Sequence, residues 1–122
     1  MGHSPAFLKL VTASKAKIKE TDVPTVLARL SRGDKFHLID VREDNEWDKG
    51  RIAGAKHLGR GIIERDIEEA IPDKDAEIVL YCGGGFCSAL SAENLQEMGY
   101  TRVSSMDGGW RAWVDAKGSV EK

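Results

Sequence analysis

Apolar positions fall along this chain in two alternating rhythms, one of helical period and one nearly continuous. In "FLKLVTASKAKI" Phe7, Leu10, Val11 and Ile18 lie near one helical face and predict an amphipathic helix. A second helix is predicted in "KETDVPTVLARLSRGD", with Asp22 or Thr21 as cap, Pro24 in the first turn, Val26, Leu27 and Leu30 as the buried stripe and Gly33 as the stop. The short run "FHLIDV" is apolar at Leu38, Ile39 and Val41, as a strand covered on both faces would be. "EDNEWDKG" then predicts one or two helical turns, "AGAKHL" a short strand, and "GIIERDIEEAI" a helix with Ile62, Ile63, Ile67 and Ile71 inward. "EIVLY" is the clearest strand, "SALSAENLQEMG" a helix from Ser88 stopped by Gly99, "RVSSM" a last strand and "GWRAWVDAKG" a terminal helix. Strands alternating with helices predict an α/β layered domain with a mostly parallel sheet.

Composition narrows the picture. At 122 residues the chain can bury one core, and 41% hydrophobic with 31% charged residues fits a soluble globular domain. A net charge of -2 gives no bulk attraction to nucleic acid or anionic lipid, so any anion recognition is local. No apolar run approaches the roughly 18 residues of a membrane span, and no signal-peptide pattern opens the chain. The expectation is a cytoplasmic protein, monomeric or weakly dimeric, whose two cysteines are reactive or buried rather than bridged. The opening "MGHS" reads like a cloning remnant, and His3 is given no weight.

Both cysteines sit in "VLYCGGGFCSALSAENL". Cys82 follows the best strand, at the end where open α/β sheets present ligand sites. Gly83, Gly84 and Gly85 can take backbone angles closed to other residues, so their N–H groups can turn inward as an anion nest. A helix starting near Ser88 adds its unpaired N–H groups and positive dipole end. Together they would cradle a thiolate, or an anion attached to it, and lower its pKa into the range of a working nucleophile. The bland reading is a small buried strand-end residue. A zinc site is not expected from C-x4-C with His37 and His57, and "GGGFCS" lacks the lysine of a nucleotide P-loop.

Three stretches in order, "LIDVREDNEWDKGRIAGAKHL", "VLYCGGGFCSALSAENLQEMGY" and "MDGGWRAW", closely resemble the rhodanese homology domain. The likeness runs from about Ile18 to Ala116, making residues 1–17 a helical extension and 18–122 the rhodanese-like domain. The resemblance implies a three-layer α/β fold with about five central strands and Cys82 as the catalytic cysteine. It implies a sulfurtransferase that takes a sulfane sulfur from a small anionic donor such as thiosulfate, holds it as a persulfide, and passes it to cyanide or a thiol, including a protein thiol. No cofactor, metal, nucleic acid or membrane partner is implied. The four-residue loop before position 87 resembles the sulfur-transferring branch. The related phosphatases carry five residues and an obligatory arginine, so phosphatase or arsenate reductase-type chemistry is the weaker reading.

Gly83, Gly84, Gly85, Phe86, Cys87 and Ser88 are thus expected to bind substrate. Many relatives carry arginine where this chain has Cys87, which removes a charge from the rim. Cys87 is read either as a resolving thiol that could close a disulfide with Cys82, or as a neutral replacement facing the helix core. The lost arginine also keeps open a catalytically weak binding or redox-sensing module. Arg60 and Arg65 in "GRGIIER" are candidates to receive the sulfonate end of a donor, or else members of a solvated helix face. Asp40, Arg42 and Glu46 are read as scaffold, Arg42 bridging to Glu46 and Asp40 tying a strand end to nearby amides. Trp47, Trp110 and Trp113 are expected to fill the core and its margins.

Overall fold

A computed structural model describes residues 3–122. Helix α1 (Pro5–Lys15) starts where Ser4 Oγ accepts the Phe7 N–H at 3.1 Å, with Pro5 preset for the first turn. Strand β1 (Lys19–Asp22) follows, and α2 (Val23–Ser31) is capped by Asp22, whose carboxylate accepts the Thr25 N–H at 2.9 Å. Next come β2 (His37–Asp40), α3 (Asp44–Lys49), β3 (Arg51–Ile52), β4 (Lys56–His57) and α4 (Ile63–Ala70). The chain continues through β5 (Ile78–Tyr81), α5 (Phe86–Glu97), β6 (Val103–Asp107), α6 (Gly109–Asp115) and β7 (Val120–Glu121).

The main sheet has the order β1-β6-β5-β2-β4 with every neighbouring pair parallel. Side chains alternate across it, so consecutive residues feed opposite cores. Ile39 and Leu80 join Ile63 and Ile67 of α4 and Leu95 of α5 on one face. Leu38, Val79 and Tyr81 join Val26 of α2 and Trp113 of α6 on the other. The result is the layered α/β arrangement the alternation predicts, in the three layers the resemblance implies. Trp113 is buried as expected, while Trp47 stacks on His57 at 4.9 Å and Trp110 lies 4.5 Å from the Arg42 guanidinium carbon.

Three strands, β1, β3 and β7, are absent from the pattern reading. β1 is "KETD", polar at every position, because an edge strand needs backbone partners on one side only and is protected by charge. β7 pairs antiparallel with β3 as a separate two-stranded ribbon. The segment 1–17, read as an extension, carries a helix packed on α5: Val11 and Ser14 are buried, and Ser14 Oγ donates to Glu93 at 2.6 Å.

Candidate active site

Four strand ends meet at one edge of the sheet. β5 runs into Cys82, β2 into Val41 and Arg42, β4 into the segment carrying Arg60, and β6 into Gly108 and Gly109. They enclose a cavity of about 250 Å³ lined by His3, Val41, Arg42, Glu43, Glu46, Arg60, Cys82, Gly83, Gly84, Phe86, Cys87 and Arg111.

Cys82 is only 4% exposed and forms part of that lining. Its Sγ accepts the Gly85 N–H at 3.2 Å and the Ser88 N–H at 3.3 Å, and lies 3.5 Å from Ser88 Oγ, to which the neutral thiol donates. Ser88 Oγ is in turn 2.8 Å from Ser105 Oγ of β6. The neighbouring Cys87 thiol, then the Ser88 hydroxyl and the Ser88 and Gly85 amides, favour the anion over the opposing effect of burial. They bring the Cys82 thiol from 9.0 down to about 5. Cys87 moves the other way: the anion beside it and its own burial raise it, and the adjacent Arg60 guanidinium only partly offsets this.

The loop is held from behind by α6. Trp110 N–H donates to the Cys82 carbonyl at 2.7 Å and Arg111 N–H to the Gly83 carbonyl at 3.1 Å. In planar trans peptides the N–H opposes the carbonyl, so fixing these carbonyls on α6 turns the next N–H groups away from it. The approach requires Gly109, whose φ is +55° and where a Cβ would land on the Cys82 carbonyl oxygen. That is the physical content of the "DGGW" stretch.

The sequence-level site is corrected in four places. First, α5 begins at Phe86, not Ser88, so the Ser88 N–H belongs to its first turn. Second, of the three loop glycines only Gly85 has a left-handed φ, +96°, and it alone of the three donates to the sulfur; Gly83 and Gly84 face open space. Third, Arg42 pairs not with Glu46 but with Asp40, at 2.8 Å in a buried contact, and also donates to the Gly50 carbonyl at 2.6 Å. Glu46 instead accepts the Glu43 N–H at 3.1 Å in a capping box for α3, while Asp40 does tie down an amide, that of Arg42, at 2.8 Å. Fourth, Arg65 lies outside the cavity lining, 73% exposed and paired with Asp66 at 2.7 Å, because its place on α4 turns it to solvent. Arg60 does reach the cavity.

Three lining residues went unread, one of them Glu43, the N-cap of α3. Arg111 sits inside the quoted "MDGGWRAW", where only the tryptophans drew a reading. His3 packs 4.9 Å from Phe86 and 4.9 Å from Phe7, a position that no periodicity in "MGHS" signals. Among the described residues, no three His, Cys, Asp or Glu side chains are grouped to hold a metal, and no helix is long and apolar enough to cross a membrane.

A parallel α/β domain that presents one amide-bound cysteine at the carboxyl edge of its sheet defines the class. The chain belongs to the family of the Rhodanese-like domain, whose model matches residues 23–116. It is 32% identical over 90 residues to the thiosulfate sulfurtransferase GlpE of Shewanella oneidensis, covering 74% of this chain and 87% of that protein. It is 35% identical over 72 residues to the thiosulfate sulfurtransferase PspE of Escherichia coli, covering 59% and 69%. A Rhodopseudomonas palustris structure, described as a protein of unknown function and possible tyrosine phosphatase, superposes with a TM-score of 0.84 at 26% identity, covering 99% of this chain and 98% of that one.

Proposed function

We propose that this chain is a sulfurtransferase in which Cys82 accepts a sulfane sulfur from a small anionic donor such as thiosulfate, holds it as a persulfide, and passes it to cyanide or a thiol. The observation that carries the reading is the sulfur of Cys82 receiving the Gly85 and Ser88 N–H groups beside an open cavity. These donors stabilise the attacking thiolate and equally the anionic persulfide that replaces it. The thiolate attacks the outer sulfur of thiosulfate, a new S–S bond forms, and sulfite leaves with the electron pair of the old one. An acceptor then attacks that outer sulfur and returns Cys82 to the thiolate.

Arg60 and Arg111 line the cavity and supply positive charge for the donor's sulfonate. Arg65, turned to solvent and paired with Asp66, has no part in it. A phosphatase would want a guanidinium after a five-residue loop, where Ser88 stands; neither Ser88 nor Cys87 supplies one, and that favours sulfur chemistry. A thiosulfate-to-cyanide assay with intact-mass detection of persulfide tests the reading. Wild type should turn over and carry one added sulfur, and Cys82→Ser should do neither. Wild type without turnover or added sulfur would leave a binding module instead.

A further inference from the structure

The chain's two cysteines line one cavity, Cys82 just past the end of β5 and Cys87 in the first turn of α5. The transfer chemistry set out above uses only one of them. Their surroundings differ in a directed way. Cys82 is buried and held by two backbone N–H groups, whereas Cys87 is half-buried at the second position of α5 with the Arg60 guanidinium beside it.

We propose that Cys87 is a second station for the sulfane sulfur: it takes the outer sulfur from the Cys82 persulfide and presents it at the cavity wall to acceptor thiols too large to reach Cys82. The inference rests on the sulfurtransferase reading. In the step, Cys87 Sγ attacks the outer sulfur. The bond between them forms as the bond from that sulfur to Cys82 Sγ breaks, and the electron pair of the broken bond stays on Cys82. The Cys87 proton passes to the transferred sulfur, so a persulfide anion and a thiol become a thiolate and a persulfide. The sulfane sulfur keeps its oxidation state, and no outside oxidant or reductant takes part.

One feature favours this direction. Thiolates of low basicity leave fastest, and the Gly85 and Ser88 N–H groups that make Cys82 a ready nucleophile also make it a ready leaving group. A disulfide would require the two Sγ atoms to close to about 2.05 Å. Passing one sulfur atom needs no such direct bond, only that both side chains open on one cavity, as Cys82 and Cys87 do.

The test loads the protein with one equivalent of thiosulfate, caps thiols and persulfides with iodoacetamide, and cuts with chymotrypsin after Phe86, which separates the two cysteines. Wild type should show capped persulfide on both Cys82 and Cys87, Cys87→Ser on Cys82 alone, and Cys82→Ser on neither. The ratio of transfer rates to glutathione and to cyanide should fall about tenfold in Cys87→Ser, because only the larger acceptor depends on the outer station. Persulfide confined to Cys82 in wild type, or an unchanged ratio, would overturn the relay and leave the sulfurtransferase reading standing. A Cys82–Cys87 disulfide with released hydrosulfide would overturn it in favour of a resolving role. No persulfide on either cysteine would remove the parent reading and the relay with it.

Discussion

At the scale of single residues, the proposed chemistry turns on how Cys82 is solvated by protein. Two backbone N–H groups, a neighbouring thiol and the Ser88 hydroxyl take the place of water around its sulfur. The thiolate therefore exists far below the ordinary thiol range, and its reactivity falls only as pH drops through about 5 rather than through 9.0. Alkylation of Cys82 by iodoacetamide, followed against pH, should show that midpoint. Ser88→Ala should raise it by roughly half to one unit, since one donor to the anion is gone. Stability follows the same sign. The folded thiol titrates below its unfolded value, so the stabilisation is complete above about 9 and is lost as pH falls toward about 5. A Cys82 that alkylates like a free thiol would remove the basis of the mechanism. This part of the site was legible in the order cysteine, glycines, helix. Which N–H groups reach the sulfur was not, because that depends on Gly85 alone taking the left-handed conformation while its two neighbours do not.

At the scale of elements, the loop is shaped as much by α6 as by its own glycines. The Trp110 and Arg111 N–H groups fix the carbonyls of Cys82 and Gly83, and Gly109 allows the approach. Gly109→Ala should therefore be severe. Its Cβ meets backbone that cannot yield and its φ of +55° is strained for alanine, together a loss on the order of 2 kcal/mol or more. Sulfur transfer should fall with it as the loop shifts. Gly83→Ala, in open space at an ordinary φ, should change stability by less than about 0.5 kcal/mol. Urea unfolding of the two variants checks the contrast, and equal losses would refute the account of "DGGW". The inner strands β2 and β5 were legible as nearly unbroken apolar runs, and the helices α2 and α4 because burial of one face imposes apolar periodicity on them. β1, β3 and β7 were not, since a polar edge strand and a ribbon of two-residue strands carry no run of apolar positions. Arg42 was misassigned for a related reason: spacing alone allowed Glu46, but the strand end brings Asp40 within 2.8 Å.

At the scale of the whole molecule, the N-terminal segment belongs to the site as well as to the fold. Phe86 opens α5 and lines the cavity, and it is bracketed by Phe7 at 6.5 Å, His3 at 4.9 Å and Lys15 Nζ at 5.4 Å. Lys15 also reaches Asp107 at 3.3 Å at the end of β6, and Ser14 bonds Glu93 on α5. The helix therefore joins two elements that converge on Cys82. A variant lacking residues 1–17 exposes the α5 surface that Val11 and Ser14 cover, and it should lose on the order of 2 to 4 kcal/mol, the burial of one or two apolar side chains. Freed of its brackets, Phe86 should also let the first turn of α5 move relative to the sulfur. The Cys82 midpoint should then rise toward the free thiol value, even under conditions where the truncated domain stays folded. Measuring that midpoint beside the urea transition separates the two effects. A variant that loses stability while keeping the full-length midpoint would make α1 a brace for the fold alone, and one that keeps both would make it dispensable.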